Sequence, residues 1–175
     1  MANSSLKLIN IDMLNIEQVC IVVHDLDKSM ESMWNTFGIG PWNIHTHDAD
    51  SLRDMTYHGK PARFVFKVAR TQNKLGGAEI ELIEPVEGDN IYSDFLREHE
   101  EGIHHLGWYY ADSLESFTET TRTLEKAGFP CIMSGRHAYG AFAYFDTTKV
   151  LNTVLEMRWL DASKGPRHPY RVFPE

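Results

Sequence analysis

Two glutamates stand inside apolar runs, in Ile80-Glu81-Leu82-Ile83 and in Val154-Leu155-Glu156-Met157. A carboxylate in such a run is costly to bury unless something compensates its charge. Two further runs carry polar donors in the same kind of setting. Ile16-Glu17-Gln18-Val19-Cys20-Ile21-Val22-Val23 holds an amide, and Ile103-His104-His105-Leu106-Gly107-Trp108-Tyr109-Tyr110 holds adjacent imidazoles. With a side-chain period of two, Gln18, Cys20 and Val22 share one face of the first run, and His105, Gly107 and Tyr109 share one face of the second. If the runs converge, an amide, an imidazole and two carboxylates meet. That set suits a borderline or hard divalent ion such as Zn, Mn, Co or Ni. A coordination position left to water would suit catalysis better than a structural role.

Spacing alone is a weak signal here, because the chain has no HExxH or CxxC pair. Each residue also has a plainer reading. Glu81 and Glu156 equally fit the solvent side of an alternating strand. Gln18 fits a hydrogen-bonded core amide. Strict alternation sends only one of His104 and His105 inward, and either could be a satisfied core histidine. Cys20 and Cys131, the two cysteines, read as ordinary core residues. Arg158 shares the face of Glu156 by parity and reads as half of an ion pair.

The elements that must position these groups repeat. Each polar strand run ends in a turn and opens a helix, with Asp25 and Asp112 placed as N-cap or first-turn acids. Leu26, Met30, Met33, Trp34 and Phe37 recur at helical spacing up to Gly38; Leu114, Phe117, Thr121 and Leu124 do so up to Gly128 and Pro130. Strand-like segments follow at Trp42–Thr46, Arg63–Ala69 and Ala78–Ile83 in the first half, and at Cys131–Ser134, Ala141–Asp146 and Thr153–Trp159 in the second. The expectation is an α+β fold in one domain, residues 1–175. Two βαβββ repeats, about 14–85 and about 103–160, would form a curved mixed sheet that cups a metal site. The linker at 86–102 should carry a short helix at Ile91–Glu98, and the proline-containing tail at 161–175 should be mostly irregular.

Composition narrows the partners. The chain has 175 residues, 42% hydrophobic and 24% charged, which is globular composition. A net charge of −8 without a Lys/Arg cluster argues against nucleic acid. No run approaches the roughly 20 apolar residues of a membrane span, and the N-terminal residues lack a signal-peptide pattern. Two separated thiols make no disulfide framework, so a cytoplasmic location is expected.

The motifs resemble those of the vicinal oxygen chelate superfamily (glyoxalase, bleomycin resistance and dioxygenase proteins), above all its methylmalonyl-CoA epimerases. Residues 16–29 resemble the opening strand and helix of that family, which usually has His where this chain has Gln18. Ile80-Glu81-Leu82-Ile83-Glu84-Pro85 is similar to its "ELLEP" strand, Gly102-Ile103-His104-His105-Leu106-Gly107 to its "GxHHI" strand, and Thr153-Val154-Leu155-Glu156 to its last acidic strand. The resemblance spans about residues 14 to 160. It implies one divalent metal held by Gln18, Glu81, His105 and Glu156, with His104 facing away. A set of Gln, Glu, His and Glu is similar to that of animal-type glyoxalase I, whereas epimerases more often show His, Gln, His and Glu. A single ligand His argues against the extradiol dioxygenases, which bind iron through two.

The resemblance therefore implies an isomerase, an epimerase or racemase that removes and returns a proton on carbon α to a carbonyl, with Glu81 and Glu156 as acid and base. The alternatives are a glyoxalase I-like lyase acting on a thiol adduct and a non-catalytic small-molecule-binding protein. Aromatic residues Trp42, Tyr57, Phe64, Phe66, Trp108, Tyr109, Tyr139 and Phe142 are candidates to wall an apolar pocket, although most should be core. Gly40-Pro41-Trp42 and Tyr57-His58-Gly59-Lys60-Pro61 resemble a subgroup whose neighbours include isoflavanone (dihydrodaidzein) racemases. An acyl-CoA such as methylmalonyl-CoA is the other expected carbonyl substrate, yet Arg53, Lys60, Arg63, Lys67, Arg70, Lys74 and Arg136 form no evident phosphate-binding cluster. A homodimer is expected by analogy.

Overall fold

The computed structural model describes residues 16–174. The expected start of the first repeat near residue 14 lies outside the described residues. Among the described residues, four α-helices and eleven strands follow one another. The first half holds β1 (Gln18–Val22), α1 (Leu26–Phe37), β2 (Trp42–His47), β3 (Leu52–Tyr57), β4 (Lys60–Pro61), β5 (Val65–Thr71) and β6 (Glu79–Glu87). Next come α2 (Ile91–His99), β7 (Gly102–Ala111), α3 (Leu114–Lys126), β8 (Cys131–His137), β9 (Gly140–Phe145), α4 (Thr148–Leu151), β10 (Val154–Leu160) and β11 (Arg171–Phe173).

All eleven strands form one sheet, in the order β11-β2-β5-β6-β1-β7-β10-β9-β8-β3-β4. Removing the additions at the two ends leaves β2-β5-β6-β1 beside β7-β10-β9-β8, the same four-strand unit twice, related by a pseudo-two-fold. The units join where β1 runs antiparallel to β7, while β1–β6 and β7–β10 are parallel. The predicted strand–helix–strand–strand–strand repeat is thus present, in a mixed, open, curved sheet.

Alternation decides what each face carries. On β1, β6 and β10 the odd-numbered or even-numbered partners divide cleanly. Ile21, Ile80 and Leu82 pack with Leu26 and Met30 of α1 on the outer side of the first half. Leu155 and Met157 pack with Phe117 and Leu124 of α3 on the outer side of the second. The opposite face takes Cys20, Val22, Ile83, Phe66, Phe142, Tyr144 and Val154, together with Ile91 and Tyr92 of α2. Burying one such side chain contributes about 1.5–3 kcal/mol, so slipping any of these strands by one residue would reverse both cores at once.

Helix α1 starts at Asp25, whose carboxylate accepts from the Lys28 N–H at 3.0 Å, and ends at Gly38 in the left-handed region with φ 66°. At α3 the cap is Ser113 rather than Asp112, its hydroxyl accepting from the Ser116 N–H at 3.0 Å.

The sequence pattern missed β3, β4, α4 and β11. In β3 the buried residues Leu52 and Met55 are three apart, because the register with β8 shifts between Arg53 and Thr56 and Asp54 takes φ 53°. The bulge destroys the period of two that would have revealed a strand. Helix α4 is a single turn. The tail is largely irregular, yet it includes one 3-10 turn at Ala162–Lys164 and the strand β11, which pairs with the outer edge of β2. Among the described residues no helix is long and apolar enough to cross a membrane.

Candidate metal centre

The pseudo-two-fold places the four sequence-selected donors in pairs. Gln18 is opposite Gly107 and Cys20 is opposite His105 across the β1–β7 junction. Cys20 is also level with Glu81 on β6, and Gly107 is level with Glu156 on β10. Gln18 therefore corresponds to His105, Glu81 to Glu156, and Cys20 to Gly107. All four donors point to the concave side of one chain, and each is 2% exposed or less.

The geometry brings them together. His105 Nε2 lies 3.4 Å from Glu81 Oε2 and 3.7 Å from Glu156 Oε2. A methyl group placed on Gly107 would lie 3.0 Å from Gln18 Cβ, 3.3 Å from Glu156 Oε2 and 3.6 Å from Gln18 Oε1. Glycine at 107 thus keeps open the space between the amide and the carboxylate. Among the described residues, the buried side-chain atoms without a hydrogen-bond partner include Gln18 Oε1 and Nε2, Glu81 Oε2, His105 Nε2 and Glu156 Oε2. Orphaned buried polar atoms of this kind are expensive. These five atoms, supplied by an imidazole, an amide and two carboxylates, suit a divalent cation in charge and in donor type.

The surroundings hold each donor in a ready form. His104 Nδ1 is 2.9 Å from His105 Nδ1. The tautomer in which His105 donates from Nδ1 leaves its Nε2 as a bare lone pair, the form a metal ligand needs. Alternation allowed only one of the two histidines to face inward, and the resemblance implied that His104 would face away. Instead, the register of β1 with β7 shifts at this point, from Cys20 opposite His105 to Ile21 opposite Ile103. His104 is the extra residue of that bulge, and its ring packs on Tyr92 and Phe95 of α2, with centroids 5.5 and 5.1 Å away. Burial and the neighbouring His105 keep it neutral.

Arg70 Nε donates to Glu81 Oε1 at 2.7 Å. Burial alone would raise the Glu81 carboxyl, but Arg70 and then His105 hold it well below the usual carboxylate range. Glu156 has a different neighbour. The Tyr144 hydroxyl donates to Glu156 Oε1 at 2.9 Å and lies 2.7 Å from the Tyr92 hydroxyl. Arg158 Nε is 3.5 Å from Glu156 Oε2, and its Nη1 is 3.6 Å from Glu79.

Glu81 and Glu156 line a cavity of about 370 Å³ on the concave face. Its walls include Phe66, Phe142, Tyr110 and Tyr139, and the tail from Leu160 to Arg167 forms one side. Several aromatic expectations change. Trp42 is fully buried against α1, and Trp108 packs with the α3 cluster, so neither walls the cavity. Tyr57 packs on the inner core beside Phe64 and hydrogen-bonds Asp94. The side chain of Tyr109 lies outside the described residues. Tyr110 reaches the cavity because the register of β7 with β10 shifts after Gly107, which places Tyr110 level with Arg158, whose guanidinium carbon is 4.5 Å from the ring centroid. Sequence reasoning passed over Tyr144, Glu79 and Tyr110, weighed Arg70 only as a phosphate contact and read Cys20 as an ordinary core residue. The Cys20 sulfur lies within 4.8 Å of donor atoms of Glu81 and His105, and only its parity with Gln18 pointed there.

A family model described as "Glyoxalase/Bleomycin resistance protein/Dioxygenase superfamily" matches residues 17–145. The chain belongs to this superfamily. Solved structures of similar fold agree with that placement. Methylmalonyl-CoA epimerase from Mycobacterium tuberculosis is 17% identical, with a TM-score of 0.55 over 84% of this chain and 88% of that one. A methylmalonyl-CoA epimerase in complex with methylmalonyl-CoA and NH4+ is 18% identical, with a TM-score of 0.56 over 85% of this chain and 95% of that one. A Streptomyces coelicolor methylmalonyl-CoA epimerase variant in complex with 2-nitronate-propionyl-CoA is 18% identical, with a TM-score of 0.56 over 87% and 98%. Among curated proteins no sequence matches this chain. At these identities the solved structures speak for the superfamily fold. The two-repeat frame brings Glu81 and Glu156 to 3.4 and 3.7 Å from His105 Nε2 and places Gln18 across from Gly107.

Proposed function

We propose that this protein is a metal-dependent epimerase or racemase that removes and returns a proton on carbon α to a carbonyl. The observation that carries the reading is the convergence of two buried carboxylates, from opposite repeats, on either side of His105 Nε2. Gln18, Glu81, His105 and Glu156 would hold the metal, which we take to be Zn, Co, Mn or Ni. When bound, such an ion stabilises negative charge developing on a carbonyl oxygen by several kcal/mol.

The chain's own groups supply the proton transfers. A planar carbanion-like intermediate can be reprotonated on either face, so inversion needs an acid or base on each side. Glu81 and Glu156 approach from β6 and β10, which flank the β1–β7 junction on opposite sides. Arg70 keeps Glu81 ionised, as a base requires. Tyr144 donates to one oxygen of Glu156 and leaves the other turned to the donor cluster. Phe66, Phe142 and Tyr110 give the cavity apolar walls that exclude water from the reacting carbon. Methylmalonyl-CoA, named in the neighbouring structures, and aryl ketones such as isoflavanones are the two carbonyl classes to test.

The test is loss of the α-proton in deuterated water, followed by NMR, for methylmalonyl-CoA and for an isoflavanone, with each of the four metals added in turn. Metal-dependent exchange that falls by at least about 100-fold in Glu81→Gln and in Glu156→Gln supports the proposal. Undiminished exchange in both variants would sink it. The Gln, Glu, His and Glu donor set keeps one other reading in view, a glyoxalase I-like lyase. Turnover of a hemithioacetal, with no exchange on either carbonyl class, would select it.

A further inference from the structure

The cavity contains three guanidinium groups, and one of them differs from the others. Arg70 lies 2.7 Å from Glu81 and 3.9 Å from Glu79. Arg158 lies 3.5 Å from Glu156 and 3.6 Å from Glu79. Arg167 lines the same cavity from the C-terminal tail. Among the described residues its hydrogen-bond partner is the Nε2 of His47, 3.1 Å from Nη1, and no carboxylate forms an ion pair with it. This is not for want of acids, because the chain has 25 acidic residues against 17 Lys and Arg. Partial burial and repulsion from Arg70 push the guanidinium down to about 10, offset only in part by Tyr139.

The groups beside Arg167 are hydrogen-bond donors. Desolvation and the adjacent Arg167 hold His47 and His137 neutral, and His137 is lowered to about 4. Since His47 Nε2 accepts from Arg167, its hydrogen sits on Nδ1, which is buried without a partner. His137 Nδ1 accepts from the Tyr139 N–H at 3.1 Å, which leaves its own hydrogen on Nε2. The two rings are 6.0 Å apart, and both line the cavity. The cation and the neutral N–H of His137 form a ready acceptor for negative charge, with His47 holding the guanidinium in place; Asp161, the acid lining the cavity from the same tail, is engaged by the Ser163 N–H and hydroxyl. The floor of the cavity is the opposite in character. Glu79, Glu81 and Glu156 are gathered there and already engage Arg70 and Arg158.

We propose that Arg167, with the N–H of His137, forms an anion-binding subsite, and that the substrate is a carbonyl compound bearing a carboxylate or phosphate away from the carbon that loses its proton. The second half of this statement rests on the function proposed above. The aromatic side chains Phe66, Phe142 and Tyr110 line the same cavity and suit an apolar body joining the two ends. Arg167 is a specificity residue in this scheme, remote from the proton transfer.

The experiment is a calorimetric titration of the metal-free protein with three probes of one shape: phenylacetate, phenyl phosphate and the neutral phenylacetamide. The wild type should bind at least one anion about tenfold or more tighter than the amide, and whichever anion wins separates a carboxylate from a phosphate terminus. Arg167→Gln should bring that anion level with the amide, while Arg167→Lys should keep part of the preference. Failure of both anions to outbind the amide in the wild type overturns the proposal, as does a preference that survives in Arg167→Gln. The wild-type arm decides the question even if a variant folds poorly. With neither metal nor turnover involved, this titration succeeds or fails independently of the proton-exchange experiment.

Discussion

The two halves of the sheet are built on one plan and differ most where they meet the candidate site. In register, Arg70 stands opposite Glu81 on β5–β6, and Tyr144 stands opposite Glu156 on β9–β10. The same structural position thus holds a cation in one half and a neutral phenol in the other. The cation makes a 2.7 Å ion pair with its acid, and the phenol makes a 2.9 Å hydrogen bond. Cys20 and Gly107 form a further unlike pair, a thiol in one half and, in the other, a position where a methyl group would already meet Gln18 and Glu156. The lesson is that repetition places the donors, and the unlike neighbours then give two equivalent carboxylates unequal chemistry.

The comparison can be broken most forcefully at Arg70. Arg70→Met leaves Glu81 buried beside His105 without its main counter-charge, and should cost the metal-free protein about 3–5 kcal/mol in urea unfolding. The same change should move the acid limb of any exchange activity upward by about 1–3 pH units, because Arg70 is the main group holding the Glu81 carboxyl down. A pH–rate profile unchanged by the substitution would remove the distinction between the two acids.

Gly107→Ala comes next. Its new methyl group would press on Gln18 Cβ at 3.0 Å and Glu156 Oε2 at 3.3 Å, and should cost about 1–3 kcal/mol together with weakened metal binding measured by competition with a chelator. Tyr144→Phe removes a neutral donor and should cost only about 1 kcal/mol. A loss as large as that of Arg70→Met would mean that the two positions are equivalent after all.

The smallest effect concerns pH. His45 and His137 are lowered to about 4, by burial and then by Arg167, so the unfolded chain binds more protons than the fold between that value and about 6.5. Stability supplied by their neutral forms is therefore present above about pH 6.5 and falls as pH drops toward 4. Thermal unfolding of His137→Gln should show a shallower decline across that window than the wild type.

How far the sequence revealed this arrangement can be told residue by residue. The inward placement of Gln18, Glu81 and Glu156 was legible because each sits in a strand run whose period of two is undisturbed up to that point, whereas His105 follows directly on the bulge at His104 and was singled out by its motif. His104, Tyr110 and β3 were not legible, and all three lie at shifts of register, where one extra residue inverts the parity on which the argument depends. Arg70 and Tyr144 lie on strands that the pattern located correctly. Their roles emerge only from cross-strand register, which depends on pairing between segments 11 and 12 residues apart along the chain. Arg167 belongs to a tail with no periodicity, and only the path of the chain back over the cavity brings it near His47.

That return path also governs how copies of the protein can meet. Strand β11 occupies the outer margin of β2 and is tied down by Arg171 to Asp27 of α1. At the far margin β4 is two residues long, an exposed lysine and an exposed proline. Neither border offers a long row of free amides and carbonyls, so a neighbouring molecule finds little to extend by strand addition. Every donor of the candidate centre lies on β1, β6, β7 or β10, the four strands at the middle of the sheet and well inside both borders.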